Sequence, residues 1–348
     1  MRLFDKTRHC KTHCLNNIIF YQIRQLLFIK NISFGGIVVN QKKFKVGIIG
    51  ATGMVGQRFA LLLENHPWFE VKVLAASARS AGKKYGDVVE GRWHMTKDLP
   101  EKYKDMVIVD AENVEEVASQ VDFCFCAVNM KKDEIKALEE RYAKAECPIV
   151  SNNSAHRFTP DVPMVIPEIN ADHIKIIDEQ RKRLGTKRGF IAVKSNCSLQ
   201  SYVPAIHPLK ELGVNKVLAC TYQAISGAGK TFKTWPEMID NVIPYIGGEE
   251  EKSEQEPLKI WESYKGRAQE LELPSAPKQF LHYFTEPDRP QIKSERNLEN
   301  GMAVSVGRLR EDTQYDYKFV CMSHNTLRGA AGGAVLLAEL LCAEGYMD

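Results

Sequence analysis

Along residues 45–86 the spacing of apolar positions changes twice. "KVGIIG" is an almost unbroken apolar run, "MVGQRFALLL" spaces its apolar residues at helical intervals, and "FEVKVLAAS" alternates before turning apolar again. Strand, amphipathic helix and second strand are therefore predicted, a βαβ unit. "MVIVD", "VDFCFCAVN" and "CPIVSNNS" repeat the apolar signature, separated by helix-like stretches such as 131–144. Alternation of this kind predicts a mostly parallel, doubly wound α/β sheet. A further apolar run, "GFIAVK", leads into "SNCSLQSYVPAIHPL", where helical periodicity begins near Leu199, and "KVLACTYQAI" reads as another strand.

The turn between the first strand and its helix carries Gly50, Gly53 and Gly56, with Thr52, Met54 and Val55 between them. Absent side chains at such spacing allow a tight turn, close approach of a pyrophosphate and close helix packing, and the phosphates would rest on amide N–H groups at the helix start. After the second strand an NAD site would place Asp or Glu, but the chain has Ser77, Arg79 and Ser80. Hydroxyls and a guanidinium suit a 2′-phosphate, so NADP(H) is the expected cofactor.

Length favours two domains. With 44% hydrophobic and 26% charged residues and a formal net charge of +3, the composition is that of an ordinary globular chain and implies no nucleic-acid partner. Nine cysteines without dense, regular spacing fit a reducing, cytoplasmic setting better than a disulfide scaffold. Residues 1–44 differ: many Lys and Arg, one acidic residue, Asp5, and an apolar stretch broken by Gln22, Arg24 and Gln25. They read as a basic leader, either an organellar transit peptide or an unstructured extension, and not as a membrane span. His9, Cys10, His13 and Cys14 are close enough to suggest metal ligation, but no second Cys/His pair follows at finger-like spacing, so no metal is expected.

The candidate nucleophile is Cys197, at a strand-to-helix turn. Free N–H groups at a helix start favour the thiolate and can stabilise an oxyanion on an attacked carbonyl. The polar "KSN" lead-in argues against burial. Gln223 is placed to orient a carbonyl or thioester, and the turn at Ser226-Gly227-Ala228-Gly229 to receive the nicotinamide end. Arg157, in "SNNSAHR" at a strand end, is a candidate anion clamp or an ordinary surface arginine. Cys124 and Cys126 flank Phe125 and read as strand core.

The motifs "GATGMVGQRF", "SNNSAHRFTPDVPMVIPEIN", "SNCSLQSYVPAIHPL", "YQAISGAGK", "IPYIGGEEEKSEQEPLKIW" and "SHNTLRGAAGGAVLLAEL" resemble the aspartate-semialdehyde dehydrogenase family, in its archaeal and fungal branch, across residues 45–347. The resemblance implies a Rossmann-type NADP-binding lobe over 45–193, with a helix at 325–345 packing back on it. It implies an α+β catalytic and dimerisation lobe, of the glyceraldehyde-3-phosphate dehydrogenase-like kind, over 194–324. The implied reaction is NADPH-dependent reductive dephosphorylation of L-aspartyl-4-phosphate through a Cys197 thioester, with inorganic phosphate released. By the same resemblance Arg157 holds phosphate, Gln223 orients the intermediate, Asn196, Glu249 and Lys252 contact substrate, and Asn325 contacts the cofactor. Homodimers or homotetramers are implied, with no membrane or nucleic-acid partner.

One family motif has no counterpart. The strand R-x-P-V-x-D-G-H-T, which carries the acid/base histidine and a substrate-binding arginine, should lie between "GGEEEK" and "SAPKQ", yet Trp261 runs directly into "ESYKGRAQELELPSAPKQF". An internal deletion near 261–262 is expected, and with it exposed strand edges in the second lobe. Three readings stay open: a working or impaired enzyme of amino-acid biosynthesis, a catalytically inactive NADP-binding remnant, or a reductase of another acyl phosphate or a CoA thioester such as malonyl-CoA.

Overall fold

The computed structural model describes residues 43–348 apart from 215, 244–245, 250, 254–255, 257–266 and 316. Residues 1–42 of the basic leader, with its His/Cys cluster, and the Trp261–Glu262 junction lie outside the described residues; Phe44, expected to end the leader, instead opens the first strand.

The predicted βαβ unit is present as β1 (Phe44–Ile49), α1 (Met54–Leu62) and β2 (Phe69–Ala76). β3 (Val109–Asp110), β4 (Phe123–Cys126), β5 (Ile149–Ser151), β6 (Met164–Val165) and β7 (Ile191–Lys194) complete a seven-stranded sheet in the order β3-β2-β1-β4-β5-β7-β6. Every pairing in it is parallel. Strand periodicity sorts side chains between two cores. Phe123 and Phe125 join Phe59 of α1 on one face, while Cys124 and Cys126 join Leu138 and Tyr142 of α2 (Lys132–Lys144) on the other. Both cysteines are fully buried, as their place beside Phe125 predicts.

The nucleophile loop leaves β7 and enters α4 (Leu199–Ile206), which follows α3 (Ile177–Leu184) in the chain. Leu199 and Val203 of α4 sit in the second core, with Phe319 and Cys321 packed against it from β10 (Tyr317–Ser323). β10 belongs to a three-stranded sheet, order β10-β9-β8, with β8 (Leu281–Phe284) parallel and β10 antiparallel to β9 (Val304–Glu311).

Two expectations need correction. "KVLACTYQAI" forms no strand: Leu218 and Tyr222 are 78% and 90% exposed. Apolar, β-branched residues make a strand only where a neighbour supplies hydrogen bonds and a covering face, and among the described residues none does so here. The closing helix is also shorter than 325–345. A π turn over Leu327–Ala331, broken at Ala330 (φ −139°, ψ −107°), precedes α5 (Gly332–Ala343). That helix is buried from Gly332 to Leu341, so it threads the first lobe's core. Glu339 within it accepts Ser275 Oγ at 2.7 Å and pairs with His66 Nε2 at 2.8 Å.

Candidate active site

The glycine turn is shaped by contact distances. Gly50 has φ +89°, and a Cβ there would lie 2.6 Å from the Ala127 carbonyl; one on Gly56 would lie 2.2 Å from the Gly50 carbonyl. Only glycine fits either position. Gly53 differs, since a Cβ on it would meet only the Gly50 carbonyl, at 3.5 Å. Packing therefore leaves free space in front of α1, whose first N–H groups have no side-chain cap. Free donors facing open space at a helix start fit a phosphate-bearing cofactor. Thr52, Met54 and Val55 line this start; the Thr52 carbonyl is held by Gln57 Nε2 at 3.1 Å, and Tyr85 Oη braces the Ala51 carbonyl from below at 2.8 Å. Ser77 and Arg79 are exposed and Ser80 half-buried just beyond β2, which lies beside β1 in the sheet.

At the other end, Asn325 Nδ2 donates to Ser226 Oγ at 2.9 Å and packs against Gly227. Residues 99 positions apart, each a predicted cofactor contact, are thus neighbours.

Cys197 is half-buried two residues before α4. Its polar lead-in is not exposed, contrary to expectation: Lys194, Ser195, Asn196 and Ser198 are all buried. Burial is tolerated because the chain supplies partners. Gln200 Nε2 donates to Ser195 Oγ at 2.7 Å, and Asn196 Nδ2 to Glu249 at 3.0 Å. Gln223, which lies on irregular backbone and not at a strand end, places Oε1 4.0 Å from Cys197 Sγ and donates from Nε2 to Glu249 at 2.6 Å. Burial alone would raise the Glu249 carboxyl, but side-chain donors, Gln223 and Asn196 among them, outweigh it and hold it below its ordinary value. Lys252 Nζ stands 3.9 Å from the same carboxylate.

Arg157 is buried, not a surface arginine. Its Nη1 meets Glu256 at 3.0 Å, and the other oxygen of Glu256 accepts the Asn196 N–H at 2.6 Å. The anion clamp thus holds an internal carboxylate next to the nucleophile. Sequence reasoning missed Glu256, and equally Arg328, which is fully buried. Arg328 forms a two-pronged ion pair with Glu168, in the short helical turn Pro167–Asn170, and donates to Gln200 of α4 at 3.0 Å. Its guanidinium lies 4.7 Å from the Phe280 ring centroid. The next residue, Gly329, abuts the nucleophile: a Cβ there would lie 2.9 Å from Cys197 Cβ.

Among the described residues no histidine hydrogen-bonds Cys197, and no group of His, Cys, Asp or Glu is arranged to hold a metal. His282, on β8, faces the Gln279 carbonyl at 3.1 Å. Burial pushes His207, which follows α4, down to about 4. No helix of the described residues is long and apolar enough to cross a membrane.

A doubly wound parallel sheet with an open glycine turn, joined to a half-buried thiol between two lobes, defines a dinucleotide-dependent oxidoreductase. The semialdehyde dehydrogenase NAD-binding domain matches residues 45–177, and the semialdehyde dehydrogenase dimerisation domain matches 206–278. The aspartate-semialdehyde dehydrogenase of Archaeoglobus fulgidus is 37% identical over 349 residues, covering 87% of this chain and 99% of the relative; that of Saccharomyces cerevisiae is 38% identical over 360 residues, covering 85% and 97%. The crystal structure of aspartate-semialdehyde dehydrogenase with NADP from Candida albicans superposes with a TM-score of 0.75 at 34% identity, covering 88% of this chain and 100% of that one. The chain belongs to the aspartate-semialdehyde dehydrogenase family. Since 87% of 348 residues is about 303, about 46 of the 349 positions aligned with the Archaeoglobus relative are filled by the relative alone.

Proposed function

We propose that the active site is built for NADPH-dependent reductive dephosphorylation of L-aspartyl-4-phosphate to L-aspartate 4-semialdehyde, and that this chain lacks one of its working parts. The observation that carries the reading is the Cys197–Gln223–Glu249–Asn196 cluster, joined to Arg157 through Glu256. Cys197 Sγ attacks the acyl carbon of the aspartyl phosphate, the carbon–oxygen bond to phosphate breaks, and inorganic phosphate leaves from a place beside Arg157. For Arg157 to hold that phosphate, Glu256 has to give way. Gln223 orients the acyl oxygen of the resulting thioester, while Glu249 and Lys252 receive the substrate's charged groups. A nicotinamide cofactor would be held along Gly50–Gly56 and by Ser226, Gly227 and Asn325, and would supply hydride to the thioester carbon; the carbon–sulfur bond then breaks, the aldehyde leaves and Cys197 regains its thiol. Ser77, Arg79 and Ser80 favour the 2′-phosphate of NADPH, so Arg79→Ala should weaken NADPH about tenfold or more in a fluorescence titration and leave NADH unchanged. The match to a dimerisation domain over residues 206–278 supports a homo-oligomer.

The acid/base group is the missing part. We assign it to the segment that the relative has and this chain lacks after Trp261. Removing a positioned acid or base costs about 10²–10⁴-fold. With L-aspartate semialdehyde, phosphate and NADP, the chain should turn over near background. Inserting the corresponding segment of the Archaeoglobus relative after Trp261 should raise the rate by about that factor, and Cys197→Ala should then abolish it. Robust turnover by the unaltered chain would overturn the reading of the gap and direct mutagenesis to His207 and His282.

A further inference from the structure

We infer that Lys194 is the buried counter-charge of the Cys197 thiolate. The inference rests on the reading of Cys197 as nucleophile and adds to it a residue outside the resemblance. Lys194 ends β7, has almost no exposed surface, and runs its aliphatic stem past Gly333 of α5. Its Nζ donates to two backbone carbonyls, Ser195 at 2.8 Å and Gly329. Those carbonyls belong to the two backbone segments that wall the thiol, one two residues before Cys197 and the other in contact with it. An ammonium has three donors, and among the described residues two are used, both on neutral acceptors.

Charge bookkeeping around this spot then leaves one partner. The charged or titratable groups facing Lys194 are Arg157, Cys197, Glu256 and Arg328. Arg328 is paired with Glu168 and Arg157 with Glu256. A buried cation without a compensating anion is costly, and the usual outcome is loss of its proton. Lys194 shows this tendency: burial, then the nearby Arg157, push it down to about 7. The remaining group able to supply a negative charge is the Cys197 thiol. A proton passed from the thiol to the neutral amine gives thiolate and ammonium with no change in net charge. Arg328 fixes the geometry by anchoring the turn that carries Gly329.

The test needs no turnover, so its outcome is separate from the fate of the missing segment. The full chain is treated with iodoacetamide from pH 6 to 9.5, and modification of each cysteine is followed by peptide mass spectrometry. Cys220, which is exposed, serves as internal reference. In the unaltered chain, Cys197 should be alkylated faster than Cys220 at pH 7.5. Lys194→Met should lower that relative rate about tenfold, the effect of losing a nearby positive charge. Lys194→Arg keeps the charge and should keep the rate high. An unchanged Cys197/Cys220 ratio in Lys194→Met would overturn the inference. So would an equal loss in the Arg and Met variants, which would make Lys194 a packing residue only. Should Lys194→Met not fold, Lys194→Gln, which keeps a donor to the carbonyls without the charge, decides: a loss of about tenfold supports the inference, and an unchanged ratio overturns it. If Cys197 in the unaltered chain reacts no faster than Cys220, the nucleophile reading fails first.

Discussion

The two lobes handle the same kind of sequence differently. In the first, each apolar strand has a strand on at least one side and a helix over each face, so Phe123 and Cys124, adjacent in sequence, are both fully buried in opposite cores. In the second, "KVLACTY" is as apolar as "VDFCFC" but finds neither neighbour nor cover, and Leu218, Tyr222 and Val242 are 78%, 90% and 70% exposed. Local β preference is thus insufficient; a strand forms when the rest of its sheet is there to satisfy its backbone and bury its side chains. Among the described residues, the longer regular elements of the second lobe, α4 and the β8–β10 sheet, are those that pack on the first lobe or on each other.

The contrast breaks if α4 and the β8–β10 sheet do not depend on the first lobe, and Arg328 tests this with the largest expected effect. It ties the turn before α5 to Glu168 in the first lobe and to Gln200 behind the nucleophile. Arg328→Met leaves a fully desolvated carboxylate unpaired, which costs about 3–5 kcal/mol. Thermal unfolding should show the whole chain destabilised, and Arg328→Met with Glu168→Leu should recover most of the loss. A small effect of the single change would mean that the lobes are joined by apolar packing alone.

Next in size is Gly56→Ala. The added Cβ would meet the Gly50 carbonyl at 2.2 Å, so backbone has to move at the turn where the cofactor phosphates would lie. Overpacking of this kind costs about 1–3 kcal/mol. NADPH affinity should fall in a fluorescence titration. Unchanged affinity would show that the turn adjusts without disturbing the phosphate site.

The first lobe was legible because its signals are local. Glycine spacing, helix period and strand alternation all fall within residues 45–86, and the thiol sits in a short strand-to-helix turn. What could not be read depends on pairs distant in sequence: Arg157 with Glu256, 99 residues apart, and Arg328 with Glu168, 160 apart. A polar stretch such as "KSN" gives opposite signals depending on whether partners exist. It reads as exposed on its own and is buried here because Gln200, Glu249 and Glu256 meet it. The unformed "KVLACTY" strand failed for the complementary reason, since its local pattern is correct and none of the described residues gives it a neighbour.

The smallest effect expected is the sharpest statement about the second lobe. A leucine or tyrosine that packs in a sheet loses several kcal/mol on truncation, about 2–5 for the leucine, whereas one in water loses almost nothing. Leu218→Ser and Tyr222→Ser in this chain should therefore leave thermal stability within about 0.5 kcal/mol of the parent, and should improve solubility by shrinking an apolar patch. The same two substitutions in the chain carrying the Archaeoglobus segment after Trp261 should each cost several times more, because the restored strands would give 217–223 a neighbour and bury both side chains. The comparison is a double-mutant cycle between a segment and a side chain. Its coupling term reads out whether the inserted segment pairs with "KVLACTY" or merely folds beside it. Equal effects with and without the segment would show that the exposed apolar stretch awaits something other than the strands missing from this chain, with a second copy of the subunit the first candidate to test by measuring mass in solution.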